Sequence, residues 1–182
     1  MLKKILIMAS GNGSNFENIV KKLENQVDIE LFTENKSAYV IQRAEKLKVK
    51  THIIDFKSFS RDEYDDELYN FLKKQTPELI VLAGYMKILS PKIVDNFKII
   101  NIHPSLLPAF PGINSIKKAY DYGVKITGVT VHWVDRVVDT GKIIEQKSVK
   151  IENSTTFQKL EKKIHEIEHE IYPCVLKKLL GL

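Results

Sequence analysis

The sequence predicts an α/β fold: an open, mostly parallel twisted sheet with helices on both faces, followed by a C-terminal β-hairpin plus helix. Three observations lead there. Over the first hundred residues, short apolar runs alternate with amphipathic stretches that begin at capping residues. The leading runs are continuously apolar, the pattern of strands buried on both faces. Only the last third carries two-residue alternation on either side of a turn. Strand–helix alternation makes parallel strands with right-handed crossovers, and alternating neighbours across a loop make a hairpin.

Residues 2–9 read as the first strand. Ser14 and Glu17 then match a capping box, with Phe16, Ile19, Val20 and Leu23 at helical spacing. Residues 29–33 are a second strand, and Ser37 is placed to cap a helix that turns Val40, Ile41, Ala44 and Leu47 inward. Residues 50–55 are a third strand. Ser60 and Glu63 form another capping box, opening a helix with Tyr64, Leu68, Phe71 and Leu72 on one face. Residues 78–83 are a fourth strand, Ser90-Pro91 starts a short helix with Pro at its first position, and residues 98–102 are a fifth strand. Residues 125–134 and 142–149 form the hairpin around loop 135–141. The last helix is expected from near Thr155, with Gln158 completing a capping box and Leu160, Ile164, Ile167 and Ile171 as its apolar stripe; Pro173 should end or kink it.

The 182 residues suit one domain. A lone cysteine, Cys174, excludes a disulfide framework and a Cys-rich zinc site and reads as a core residue. The apolar run after Lys3-Lys4 is short of the ~7–15 residues of a signal-peptide core, and nothing approaches the ~20 apolar residues of a membrane span. A cytoplasmic protein without a membrane partner is expected. The net charge of +5 favours anionic partners. Its lysines are scattered in pairs rather than gathered in a basic arm, which points to small anionic substrates and away from nucleic acid.

In open sheets of this kind ligands bind beyond the carboxyl ends of the strands, so segments 10–15, 84–89 and 103–112 should line a site. Gly11, Asn12, Gly13, Ser14 and Asn15 lie between the first strand and its helix, where small residues and a helix N-terminus suit a phosphate. The segment lacks the third glycine of a dinucleotide fingerprint and the Gly-Lys-Ser/Thr of a P-loop, and a plain turn is the alternative. Asn101 and His103 point to the same side of a strand end, where an amide and an imidazole face one substrate. Asp139, in the turn sequence Asp139-Thr140-Gly141, is either turn chemistry or a carboxylate that orients His103. His165-Glu166-Ile167-Glu168-His169 matches H-E-x-x-H, but a third zinc ligand is wanting downstream, with Glu170 the only candidate.

Together, Ser10-Gly11-Asn12-Gly13-Ser14-Asn15, Phe59-Ser60-Arg61 with Tyr64-Asp65, the run from Val81 to Pro91, Asn101-Ile102-His103-Pro104-Ser105-Leu106-Leu107-Pro108, Phe110-Pro111-Gly112, Gly128-Val129-Thr130-Val131-His132 and Asp139-Thr140-Gly141 carry a resemblance that covers nearly the whole chain. The chain resembles the phosphoribosylglycinamide formyltransferases of the folate-dependent formyltransferase superfamily. The resemblance implies a Rossmann-like formyltransferase fold and one domain over residues 1–182. Residues 1–100 would form the phosphate- and ribonucleotide-binding half and 101–182 the catalytic and folate-binding half. It implies formyl transfer in purine biosynthesis from 10-formyltetrahydrofolate, a co-substrate, to glycinamide ribonucleotide, with no metal. Asn101, His103 and Asp139 would be the catalytic trio, Gly11 to Asn15 the phosphate cradle, and Glu168 the holder of the glycinamide end. Arg61, Leu82, Met86, Lys87, Ile88, Leu89 and Val134 would form the folate site. Lys87 stands where the family often has Arg, and Val40 where it often has Gly.

The rival expectations are hydrolysis of 10-formyltetrahydrofolate, which in its family comes with an added N-terminal domain, formylation of methionyl-tRNA, which comes with a C-terminal one, and a non-catalytic nucleotide-binding module. The chain length favours the bare transferase, as a monomer or homodimer. A module without catalysis leaves Asn101, His103 and Asp139 unexplained.

Overall fold

The computed structural model describes residues 2–182. Its strands are β1 (Lys4–Met8), β2 (Asp28–Thr33), β3 (Lys50–Ile53), β4 (Leu79–Leu82), β5 (Ile99–His103), β6 (Ile126–Trp133) and β7 (Ile143–Lys150). Its α-helices are α1 (Ser14–Lys22), α2 (Val40–Lys46), α3 (Arg61–Gln75), α4 (Pro91–Val94), α5 (Ser115–Tyr122) and α6 (Phe157–Leu180). One seven-stranded sheet runs in the order β3-β2-β1-β4-β5-β6-β7. The first five strands are parallel, and β6 and β7 are antiparallel to their neighbours. The order reverses between β1 and β4, which opens a crevice at their carboxyl ends.

The continuous apolar runs are divided by the pleat. Ile5 and Ile7 face one core with α1, α2 and α6, whereas Leu6 and Met8 face a second core with α3 and α4. Helices therefore cover both faces of the parallel part, as the runs require. The Ser60–Glu63 capping box forms with both of its hydrogen bonds, and Pro91 opens α4. Among the described residues no helix is long and apolar enough to cross a membrane.

Several local expectations are corrected by tertiary contacts. Ser14 does not cap α1; Gly13 takes that place in a left-handed conformation, and Glu17 turns instead to Arg43 and Lys21. Ser37 does not cap α2. Asn35 Oδ1 accepts from its N–H at 3.0 Å, which keeps the chain in a turn until the helix begins at Val40. The cap of α6 is Thr156, not Thr155, and accepts from Lys159 N; Thr155 Oγ1 accepts from Glu152 N instead. Cys174 is exposed rather than in the core. Helix α5 has no sequence signal of the Ser/Thr type, because its cap is Asn114 held at φ 59°.

Pro173 does not end α6: the helix runs on to Leu180. A proline there leaves the carbonyl four residues earlier without its donor. That carbonyl belongs to His169, and the Asn18 side-chain amide of α1 donates to it at 2.7 Å. Asn18→Ala should orphan this group and lower unfolding stability by about 1 kcal/mol, the scale of one such hydrogen bond; a denaturation midpoint equal to that of the parent protein would show that the carbonyl is satisfied otherwise.

Candidate active site

The crevice at the β1–β4 switch opens into a cavity of about 970 Å³. Its floor is organised by short contacts between the two loops that leave those strands. Ser10 N donates to the Gly84 carbonyl at 3.1 Å, and Ser10 Oγ accepts from Met86 N at 2.7 Å. Gly11, Asn12, Gly13, Ser14 and Asn15 line one end. Gly13 is at φ 77°, and a Cβ there would lie 2.3 Å from Val40 Cγ2, so only glycine lets α2 pack against the loop. The N–H groups of the first turn of α1 have no partners within the helix and face an incoming anion with the positive end of the helix dipole. Arg43, which the sequence alone did not single out, donates to the Asn12 backbone carbonyl at 2.8 Å and to its side-chain oxygen at 2.7 Å. It places a cation behind the loop.

Glu168 of α6 reaches the same end. Its Oε2 accepts from Asn15 Nδ2 at 3.3 Å and His165 Nδ1 at 2.8 Å. The hydrogen bond to Glu168 holds the His165 imidazole above its usual range, whereas burial pushes His169 down. Asn15 Oδ1 is buried without a partner among the described residues, an acceptor open to a ligand donor. The H-E-x-x-H histidines thus have separate environments, and among the described residues no group of three potential metal ligands gathers.

The opposite wall is apolar. Leu82, Met86, Ile88, Leu89 and Val134 line it, and Lys87 joins them with its ammonium 3.9 Å from the centre of the Phe56 ring. Arg61 stands at the edge of this wall. It does not line the cavity; its guanidinium donates to the Ile88 carbonyl and to Asp65, so it braces the Met86–Leu89 segment from behind.

Between the two ends lie Asn101, His103 and Asp139, brought together as expected. Asn101 and His103 share one face of β5, and the antiparallel register adds Thr130 and His132 of β6 to that face. His103 Nδ1 is 3.3 Å from Asp139 Oδ2, and its Nε2 is 2.9 Å from the Phe110 carbonyl. Both ring nitrogens face oxygen atoms, which fixes the plane of the ring. His132 was quoted in the sequence only as part of a motif, yet it belongs to this cluster. Its Nδ1 lies 2.9 Å from the Trp133 carbonyl, and its Nε2 is 3.3 Å from Asn101 Nδ2 and 3.6 Å from Asp139 Oδ1. The Asn101 amide also has an N–H without a protein partner among the described residues.

Asp139 is held from several sides. Burial works to push its carboxyl up, but the His132 ring, the Gly112 N–H at 2.7 Å and the His103 ring outweigh burial and hold it below the ordinary carboxylate range. Its φ of 59° is one that Asp tolerates better than most residues. Gly141 makes the loop's return possible: a Cβ there would fall 1.7 Å from the Trp133 carbonyl oxygen.

Two outcomes follow from this geometry. Because the folded carboxyl of Asp139 titrates below its unfolded value of ~3.9, the stability it adds is fully present above that pH and is lost as pH falls through the lowered folded value. The difference in melting temperature between the parent protein and Asp139→Asn should therefore be constant from pH 7 to about 5 and shrink below about 4; a difference unchanged at pH 2 would overturn the assignment. Gly141→Ala should cost roughly 1–3 kcal/mol through the clash with Trp133, and the displaced Asp139 should lower catalytic turnover more than substrate affinity.

Comparison with known proteins agrees with this geometry. The formyl transferase family profile matches residues 3–176. The chain is 44% identical to the phosphoribosylglycinamide formyltransferase of Bacillus subtilis (strain 168), over 100% of this chain and 96% of that protein. The crystal structure of glycinamide ribonucleotide transformylase 1 from Geobacillus kaustophilus matches with a TM-score of 0.94 at 40% identity, covering 100% of both chains. That of phosphoribosylglycinamide formyltransferase from Campylobacter jejuni subsp. jejuni matches with a TM-score of 0.91 at 43% identity over 98% of each chain. With its motifs seated around one cavity and its whole length shared with these enzymes, the chain belongs to the formyl transferase family.

Proposed function

We propose that the protein transfers the formyl group of 10-formyltetrahydrofolate to the amine of glycinamide ribonucleotide, giving formylglycinamide ribonucleotide and tetrahydrofolate. One observation carries this reading: Asn101, His103 and Asp139 stand between an anion-binding loop and an apolar wall within one cavity. Its volume of about 970 Å³ is at the upper end of small-molecule sites, which suits two substrates rather than one.

The ribonucleotide phosphate sits on the first turn of α1 against loop 11–15, with Arg43 adding positive charge from behind. Glu168 and the unpartnered Asn15 Oδ1 are acceptors for donor groups of the same substrate. The folate ring lies against Leu82, Leu89 and Val134 with Met86, Lys87 and Ile88 at its edge, while Arg61 keeps that segment in shape. The amine nitrogen attacks the formyl carbon and the C=O electrons move to oxygen. Asn101 donates its free N–H to that oxyanion, and the His103 imidazolium adds positive charge, kept in place by Asp139. Collapse re-forms the C=O and breaks the bond to the folate nitrogen, which takes up the proton lost by the amine.

The test is a spectroscopic assay of tetrahydrofolate formation from 10-formyltetrahydrofolate, with and without glycinamide ribonucleotide. Formation that depends on the ribonucleotide is expected; equal rates in its absence would point to hydrolysis instead. His103→Ala and Asn101→Ala should each lower kcat by about 10²–10³, the scale for loss of one oxyanion donor. Wild-type turnover in either would remove that residue from the mechanism.

A further inference from the structure

We propose that Arg136 is a positioning residue for the transfer reaction: paired with Asp95, it seats the β6–β7 loop over the cavity and thereby keeps Asp139 on His103. The inference rests on the formyl-transfer reading of the cavity.

The loop, residues 134–142, is tethered at few points. At its root, Val134 N donates to the Ile99 carbonyl and Trp133 N to the Lys142 carbonyl, each at 2.9 Å. Within the loop, Asp135 Oδ1 accepts from Val137 N at 3.0 Å and from Thr140 Oγ1 at 2.8 Å, which shapes the loop without fixing it to the body. At its inner end, Asp139 Oδ2 accepts from Gly112 N, and the same carboxylate lies against the His103 and His132 rings. The span between is thinly packed: Val137 and Val138 are 62% and 49% exposed.

Arg136 supplies a further tie, at the loop's outer end. Its Nε donates to Asp95 Oδ1 at 2.9 Å and its Nη2 to Asp95 Oδ2 at 2.6 Å, a two-bond fork onto the residue that ends α4. The guanidinium holds the Asp95 carboxyl below its usual range. Such planar pairing fixes orientation as well as distance, which a lysine at this position would not do. An exposed pair adds little to global folding. Its effect falls on a local equilibrium, the loop seated or lifted, in which it holds the outer end while Asp139 holds the inner one. The loop lines the cavity, so only the seated form presents both Asp139 and the Val134 wall to the folate. A smaller seated fraction weakens apparent substrate affinity in proportion, while saturating substrate restores the seated form.

The experiment compares steady-state kinetics with the formyl donor varied, and amide hydrogen exchange of the loop without substrate, in the parent protein, Asp95→Ala, Arg136→Ala, the double alanine variant and the charge-reversed Asp95→Arg/Arg136→Asp. Asp95 lies outside the cavity, so its substitution reads the tie and not a ligand contact. Each alanine variant should raise the KM for the formyl donor about three- to fivefold, the range open to an exposed, well-oriented pair. Asp95→Ala should keep kcat near the parent value. The double variant should be no worse than either single one, and the reversed pair should recover most of the loss. Exchange at residues 137–141 should quicken in Asp95→Ala. Parent-like KM and exchange in Asp95→Ala, additive single effects, or a fall in kcat at constant KM would each overturn the proposal. A parent enzyme without ribonucleotide-dependent transfer would overturn the transferase reading instead, and the substrate-free exchange would still report on the tie.

Discussion

The Asp139 carboxylate is the interaction on which the site depends. It is buried, and a buried charge is tolerable only when partners replace its water. Those partners come from three separate places: His103 at the end of β5, the Gly112 N–H in the loop that follows, and His132 on β6. One charged group therefore fixes the β6–β7 loop, the loop after β5 and the ring of His103 in a single arrangement. With Nδ1 toward Asp139 and Nε2 toward the Phe110 carbonyl, His103 has its ring orientation set from both sides.

The scaffold around this cluster is stiff where the chemistry is. Thr130 Oγ1 donates to the Ser105 carbonyl and accepts from Leu107 N, and Gln146 of β7 donates to both Thr130 and the Leu107 carbonyl. The loop after His103 is thus bonded to the hairpin that follows it in sequence. Buried Tyr172 of α6 donates to the Leu82 carbonyl at 2.8 Å, which couples the last helix to the strand whose end lines the cavity. Four residues earlier on α6, Glu168 enters the cavity, so continuity of the helix past Pro173 and the Asn18 bond that compensates it bear on substrate recognition as well as on folding.

Much of this was legible in the sequence where short-range physics decides. The Ser60–Glu63 capping box, the Pro91 helix start and the continuous runs of β1 and β4 depend on neighbours a few residues away, and they form as read. Asn101 and His103 could be placed on one side because strand geometry alternates sides. Other local patterns failed where a distant partner competed. Glu17 left its capping role for Arg43, Asn35 claimed the Ser37 N–H, and Asn18 removed the penalty that Pro173 would impose alone. Arg61 bonds the Ile88 carbonyl and Asp65, pairings that the motif alone does not show.

By itself, then, the sequence determined the class of fold, the crevice where ligands bind and the residue types available to it, since hydrophobic periodicity, turn chemistry and strand alternation are local properties. Only the tertiary structure decided how those groups meet. That Asp139 reaches His103 from a loop more than thirty residues away depends on the antiparallel β5–β6 register and on the close pass of Gly141 against the Trp133 carbonyl. That His132 orients Asn101, that Arg43 stands behind the anion loop and that Arg136 finds Asp95 are also long-range pairings. Hydrogen bonds and charges act over a few ångströms of space, and spacing along the chain does not reveal which distant groups come within that reach.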